Sequence, residues 1–168
     1  MLEYPLLLVF PVAMVFAAAM DLMTMTIPNR ISLALIASFL LLAPFSSLGL
    51  QHILVNHIVV GIAVLAIGIA MFSAGLMGGG DAKLIAAGAL WIGYDKLLEY
   101  VLTISVAGGV LALVVLFYRR AVPTAAIVRP DWAIRLHQQG TGIPYGIAIA
   151  AAALMTFPTT RLYLGFMT

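Results

Sequence analysis

From Ile31 to Gly80 the chain runs for 50 residues without an Asp, Glu, Lys or Arg, and the run ends at Asp81. A bilayer crossing takes about 20 apolar residues at 1.5 Å of helical rise each, so this stretch is long enough for two. Pro44-Phe45-Ser46-Ser47-Leu48-Gly49 interrupts it as a turn between two helices would. The rest of the chain has the same character. Of 168 residues 64% are hydrophobic and 8% charged, with a mean hydropathy of +1.17, whereas soluble domains carry about 25% charged residues. An all-α, polytopic membrane protein is the expected class.

Charges and turn residues divide the sequence into apolar segments at about 5–22, 30–45, 53–75, 80–94, 98–118 and 142–161. Six transmembrane helices are expected, the fourth too short to cross without tilt or shielding. No internal repeat or soluble module is visible, so residues 1–168 read as one membrane-embedded domain. Glu3 and the lack of a basic cluster at the amino end argue against a removable signal peptide. The first helix is expected to remain in the mature protein.

Basic residues of short loops favour the cytoplasm. With the amino terminus outside, Arg30, Lys83, Arg119, Arg120, Arg129 and Arg135 lie at inner ends, against Lys96 and Arg161 at outer ends. Tyr4, Trp91, Tyr94, Tyr100, Tyr118 and Tyr163 then fall near helix ends, where headgroup-level anchoring is expected. The polar loop from Arg119 to Thr141 reads as holding a short interfacial helix around Trp132, Ile134 and Leu136. The same layout sorts the six acids. Glu3, Asp95 and Glu99 go outside and Asp131 into the polar loop, leaving Asp21 and Asp81 together at the inner side.

A charge at membrane depth is costly, by roughly 2.5–3.5 kcal/mol on insertion scales, and tends to have a task. Two carboxylates a few ångströms apart share one proton. Such a pair can hydrolyse a peptide without a metal or covalent intermediate. The charged member takes a proton from the attacking water, and the neutral one hydrogen-bonds the carbonyl oxygen. Gly78, Gly79 and Gly80, just before Asp81, suit close main-chain approach and positive φ in a loop that holds an extended substrate. They also suit a tight turn or the small-xxx-small packing of Gly75 with Gly79.

These residues resemble a family. GGGD at 78–81 looks like the Gly-x-Gly-Asp signature of intramembrane aspartyl proteases. "DLMTMTIPNRIS", with Asp21, Pro28, Asn29 and Ser32, is similar to the first motif of the prepilin peptidase branch. Lys83 in "GGGDAKL" and Pro144-Tyr145-Gly146 in "IPYGIAIA" match its second and third elements. The resemblance implies Asp21 and Asp81 as catalytic residues. Gly78, Gly79, Gly80, Pro28, Asn29, Lys83, Pro144, Tyr145 and Gly146 would shape the substrate site. The paired Cys-x-x-Cys motifs associated with methylation in larger members are missing from this cysteine-free chain. It is similar to the short, peptidase-only members of tight-adherence (Flp) pilus systems. That implies a bacterial inner membrane enzyme cutting small prepilins or pseudopilins on the cytoplasmic side without N-methylation. Archaeal preflagellin peptidases share the arrangement.

Other chemistries find less support. His52 and His57 are five apart, off a common α-helical face, and no His-Glu-x-x-His motif occurs, so no metal is expected. No Gly-x-Ser-x-Gly elbow surrounds Ser73. No cofactor or nucleic-acid partner is expected, membrane lipid is, and the oligomeric state is open. The competing function is an ion- or proton-conducting or assembly subunit whose buried acids bind ions. Its usual sign, two related halves, does not appear between 1–84 and 85–168.

Overall fold

The computed structural model describes residues 8–121, 131–137 and 142–167. The expectations for Glu3, Tyr4 and Arg129 lie outside them. The described residues hold helices and no strand. We label the helices α1 (Val9–Thr24), α2 (Asn29–Leu42), α3 (Leu50–Ser73), α4 (Gly79–Ile92), α5 (Tyr94–Ala121), α6 (Asp131–His137), α7 (Tyr145–Thr156) and α8 (Arg161–Met167).

Local chemistry sets the breaks. α1 stops where Met25 turns left-handed, at φ 55°, and donates its amide to the Asp21 carbonyl at 2.8 Å, an αL termination. Pro28 then stands extended just ahead of α2, as its restricted φ suits the start of a helix. Pro44 closes α2 in a 3-10 turn, Ala43–Phe45. Gly75 takes φ +72° in the turn after α3, and Gly93 takes +77° between α4 and α5. Both are conformations that glycine adopts at little cost. The turn Phe157–Thr159 holds Pro158, and beyond it α8 departs from α7 by 50°.

Among the described residues two helices, α3 and α5, are long and apolar enough to cross a membrane, and the bent α7–α8 pair is a third candidate. α1 and the Asn29–Phe45 segment are apolar but shorter. The described residues are thus those of an all-helical membrane protein with two or three candidate spans, where six transmembrane helices were expected. Most segment ends moved by a few residues. The segment at 98–118 is the middle of the 28-residue α5. Its ends carry charges and were read as loop, but Lys96 and Glu99 pair at 2.7 Å on the helix itself.

Close packing of α3 on α4 relies on small residues. A Cβ at Gly61 would come within 2.9 Å of Leu90 Cδ1, and one at Gly68 within 3.0 Å of Ala82 Cβ. In lipid, where burial of apolar surface gives no advantage, such contact is the main source of helix association. The small-residue seam is therefore Gly61 with Gly68, whereas Gly75 serves the turn. Trp91, expected at the interface, is instead the centre of the core. It is 1% exposed, stacks on Phe10 with centroids 5.2 Å apart, and donates its indole N–H to the Leu35 carbonyl at 2.9 Å. Tyr100 is fully buried as well. Both lie near the ends of their helices, and neighbouring elements cover those ends.

The histidine register also differs from expectation. Leu54–Ile58 forms a π-turn within α3, and its wider repeat brings residues five apart onto one face. The His52 and His57 rings lie 5.8 Å apart. His57 is buried and its Nδ1 is 2.9 Å from the Leu90 carbonyl. His57 thus links α3 to α4, with His52 packed beside it. Asp95 is bonded to Arg161 at 2.9 Å, so the start of α5 and the start of α8 meet at one end of the molecule. α6 docks through Arg119, which donates to the Leu136 carbonyl at 2.6 Å, and through Arg135, which donates to the Met23 carbonyl.

Candidate active site

The candidate acids come from different helices, at the end opposite the Asp95–Arg161 pair. Asp21 sits in the last turn of α1 and is 6% exposed. Asp81 sits in the first turn of α4, half-buried. The two acids stand at the same end of the bundle, one at the close of α1 and one at the opening of α4, where Gly80 packs on Ile27.

The third sequence element holds the first acid. The Gly146 amide donates to Asp21 Oδ2 at 2.7 Å. A Cβ on Gly146 would stand 2.9 Å from both the Cβ and Oδ2 of Asp21, so only glycine fits there. That amide is free to donate because it belongs to the first turn of α7, whose leading N–H groups have no intrahelical partner. Buried Pro144 precedes the helix and contributes no N–H of its own. The apolar helix α7 thus delivers a hydrogen-bond donor to a buried carboxylate.

The first and second elements interlock. Gly80 packs on the loop after α1, where a Cβ would meet Ile27 Cβ at 3.2 Å, and Lys83 Nζ donates to Asn29 Oδ1 at 2.9 Å. The lysine therefore bridges to the start of α2. Ser32, one turn into α2, is buried. The glycine run departs from expectation in one respect. Gly78 is extended, with φ −69° and ψ 140°, while Gly79 and Gly80 are already helical. Among the described glycines positive φ belongs to Gly75 and Gly93. What the run supplies is space. A Cβ at Gly78 would lie 2.8 Å from Asp81 Oδ2, and one at Gly79 3.3 Å from the Phe72 ring.

A cavity of about 630 Å³ opens on Asp81, with Gly78, Met77, Ser105, Tyr145 and Ile149 among its walls. Gly78, Asp81 and Tyr145 were singled out in the sequence, and they meet here. Ile104 and Ser105 were not. They lie within the long apolar run of α5, where no local pattern separates a cavity wall from a lipid-facing position. Among the described residues no group of three or more His, Asp or Glu side chains comes together to hold a metal.

No curated protein and no solved structure matches the chain. A family model does, over residues 8–113, a range that holds both acids, Pro28-Asn29, the glycine run and Lys83 but ends before Pro144-Tyr145-Gly146. With nearly two thirds of its length matched, the chain belongs to the type IV leader peptidase family.

Proposed function

We propose that this leader peptidase is an aspartyl endopeptidase in which Asp21 and Asp81 share a proton and activate water between them. The observation that carries the reading is that Asp81 opens on a cavity of about 630 Å³ walled in part by Tyr145, while the next residue, Gly146, donates its amide to Asp21. One carboxylate takes a proton from water as its oxygen bonds to the scissile carbonyl carbon. The other donates a hydrogen bond to the carbonyl oxygen as charge develops there. Collapse of the tetrahedral species breaks the C–N bond, and the proton taken from water passes to the leaving amine. The dyad is thereby restored without a covalent intermediate.

The substrates are small prepilins of the Flp type, cut just before their hydrophobic helix on the cytoplasmic side of a bacterial inner membrane. The supports are the six-to-two distribution of basic residues and the motif pattern. Gly78, Gly79, Gly80, Pro28, Asn29, Lys83, Pro144, Tyr145 and Gly146 frame the site for an extended leader. The absence of cysteine supports cleavage without methyl transfer. Co-expression with a Flp-type prepilin, followed by mass spectrometry of the product, tests all of this together. The expected product begins at the hydrophobic helix with an unmodified amine. An intact prepilin, or a methylated product in a strain without other prepilin peptidases, contradicts the proposal.

A further inference from the structure

Tyr145 forms part of the wall of the Asp81 cavity, yet the residue is more than a third exposed. The support comes from α5. Gly108 is buried against the edge of the Tyr145 ring, and a Cβ there would stand 2.5 Å from Tyr145 Cε1 and 3.3 Å from Cδ1 and Cζ. No side chain larger than hydrogen leaves the ring where it is. The next residue, Gly109, has nothing within 4 Å of the corresponding position. The two glycines share one helix and one intrinsic helix cost, so only Gly108 has a tertiary reason to lack a side chain.

We propose that Gly108 is a positioning residue for substrate binding: its bare Cα seats the Tyr145 ring in the wall of the cavity beside Asp81, and the seated ring supports the peptide flanking the cut. The tyrosine is adjacent to Gly146, whose amide holds Asp21. One dipeptide, Tyr145-Gly146, therefore serves both acids, and Gly108 sets the half of it that faces the substrate. Because Tyr145 is partly exposed, an added methyl group pushes its ring outward instead of unfolding the bundle. The lost wall then appears in binding.

The inference rests on the peptidase reading, so its test has one arm that needs no catalysis. 3-Fluorotyrosine placed at position 145 in the detergent-solubilised protein gives a single ¹⁹F resonance. Gly108→Ala is expected to move that resonance and Gly109→Ala to leave it in place, with the two variants melting at similar temperatures. With a prepilin substrate, Gly108→Ala should raise KM by about tenfold or more with a smaller change in kcat, since a displacement of about 1 Å suffices for such losses. Gly109→Ala should keep both constants. In a Tyr145→Ala background Gly108→Ala should add no further change in KM. An unmoved resonance overturns the proposal, as does a moved resonance with the kinetic constants of Gly109→Ala. A wild-type protein that cuts no prepilin removes the peptidase reading instead, while the resonance still decides whether Gly108 seats the ring.

Discussion

The amide of Gly146 donates to Oδ2 of Asp21 at 2.7 Å across 125 residues of sequence. This bond ties the last sequence element to the first, and it needs both an unpaired helix-terminal N–H and a residue without Cβ. Gly146→Ala should therefore abolish leader cleavage, by a factor of about 100 or more given the sensitivity of catalysis to sub-ångström displacement. The variant should still accumulate in the membrane, because the contact is a local one. Comparison of cleavage rate with membrane abundance checks this.

The Lys83–Asn29 bond should matter less. It lies in solvent at the protein edge, and an intramolecular hydrogen bond contributes about 0.5–1.5 kcal/mol net. Lys83→Met and Asn29→Ala should each slow cleavage by about tenfold or less, and the double variant should do no worse than the poorer single. A cycle of rates on one prepilin measures the coupling. Additive losses would show that the two side chains act separately.

Trp91 is the stability test. It packs against Phe10, Phe39 and Phe157 and donates to the Leu35 carbonyl. Trp91→Ala should destabilise the protein by about 3–5 kcal/mol, the usual cost of emptying a large aromatic site. Trp91→Phe removes the indole donor from a carbonyl that Ser38 also reaches and leaves a smaller void, and should cost about 1–3 kcal/mol. Unfolding curves in detergent separate the two.

A shared proton fixes the form of the pH profile. When both acids are protonated no base remains for water, and when both are ionised no donor remains for the carbonyl oxygen. Cleavage should therefore follow a bell whose limbs belong to the pair rather than to either residue. A profile with a single limb would mean that only one acid titrates in the working range. Rates on one prepilin across a pH series, with enzyme integrity checked at each point, give the curve.

Orientation can be read directly because the chain has no cysteine of its own. A single cysteine at Lys96 should react with an impermeant maleimide added outside intact cells, and one at Arg120 only after the cells are opened. The reverse pattern would turn the protein over.

The sequence reading was most informative where chemistry is local. A charge-free run, turn residues and lone acids located the helices and the helix ends that carry Asp21 and Asp81. It failed where neighbours decide. Trp91 and Tyr100 have the positions of interfacial anchors along the chain, and other elements bury both. The π-turn Leu54–Ile58 places His52 beside His57, a register that an α-helical repeat does not give. Ser105 and Gly108 have no signature within an apolar helix, and their roles come from what α7 presents to them.

The most direct measurement of the central claim is cleavage of one purified prepilin by Asp21→Asn and Asp81→Asn, each assayed alone at matched membrane abundance, with Glu99→Gln as a reference. The account predicts that each asparagine variant leaves the prepilin intact while Glu99→Gln, whose carboxylate pairs with Lys96 at the far end, cuts at the wild-type rate. Processing at an ordinary rate by either asparagine variant would contradict it.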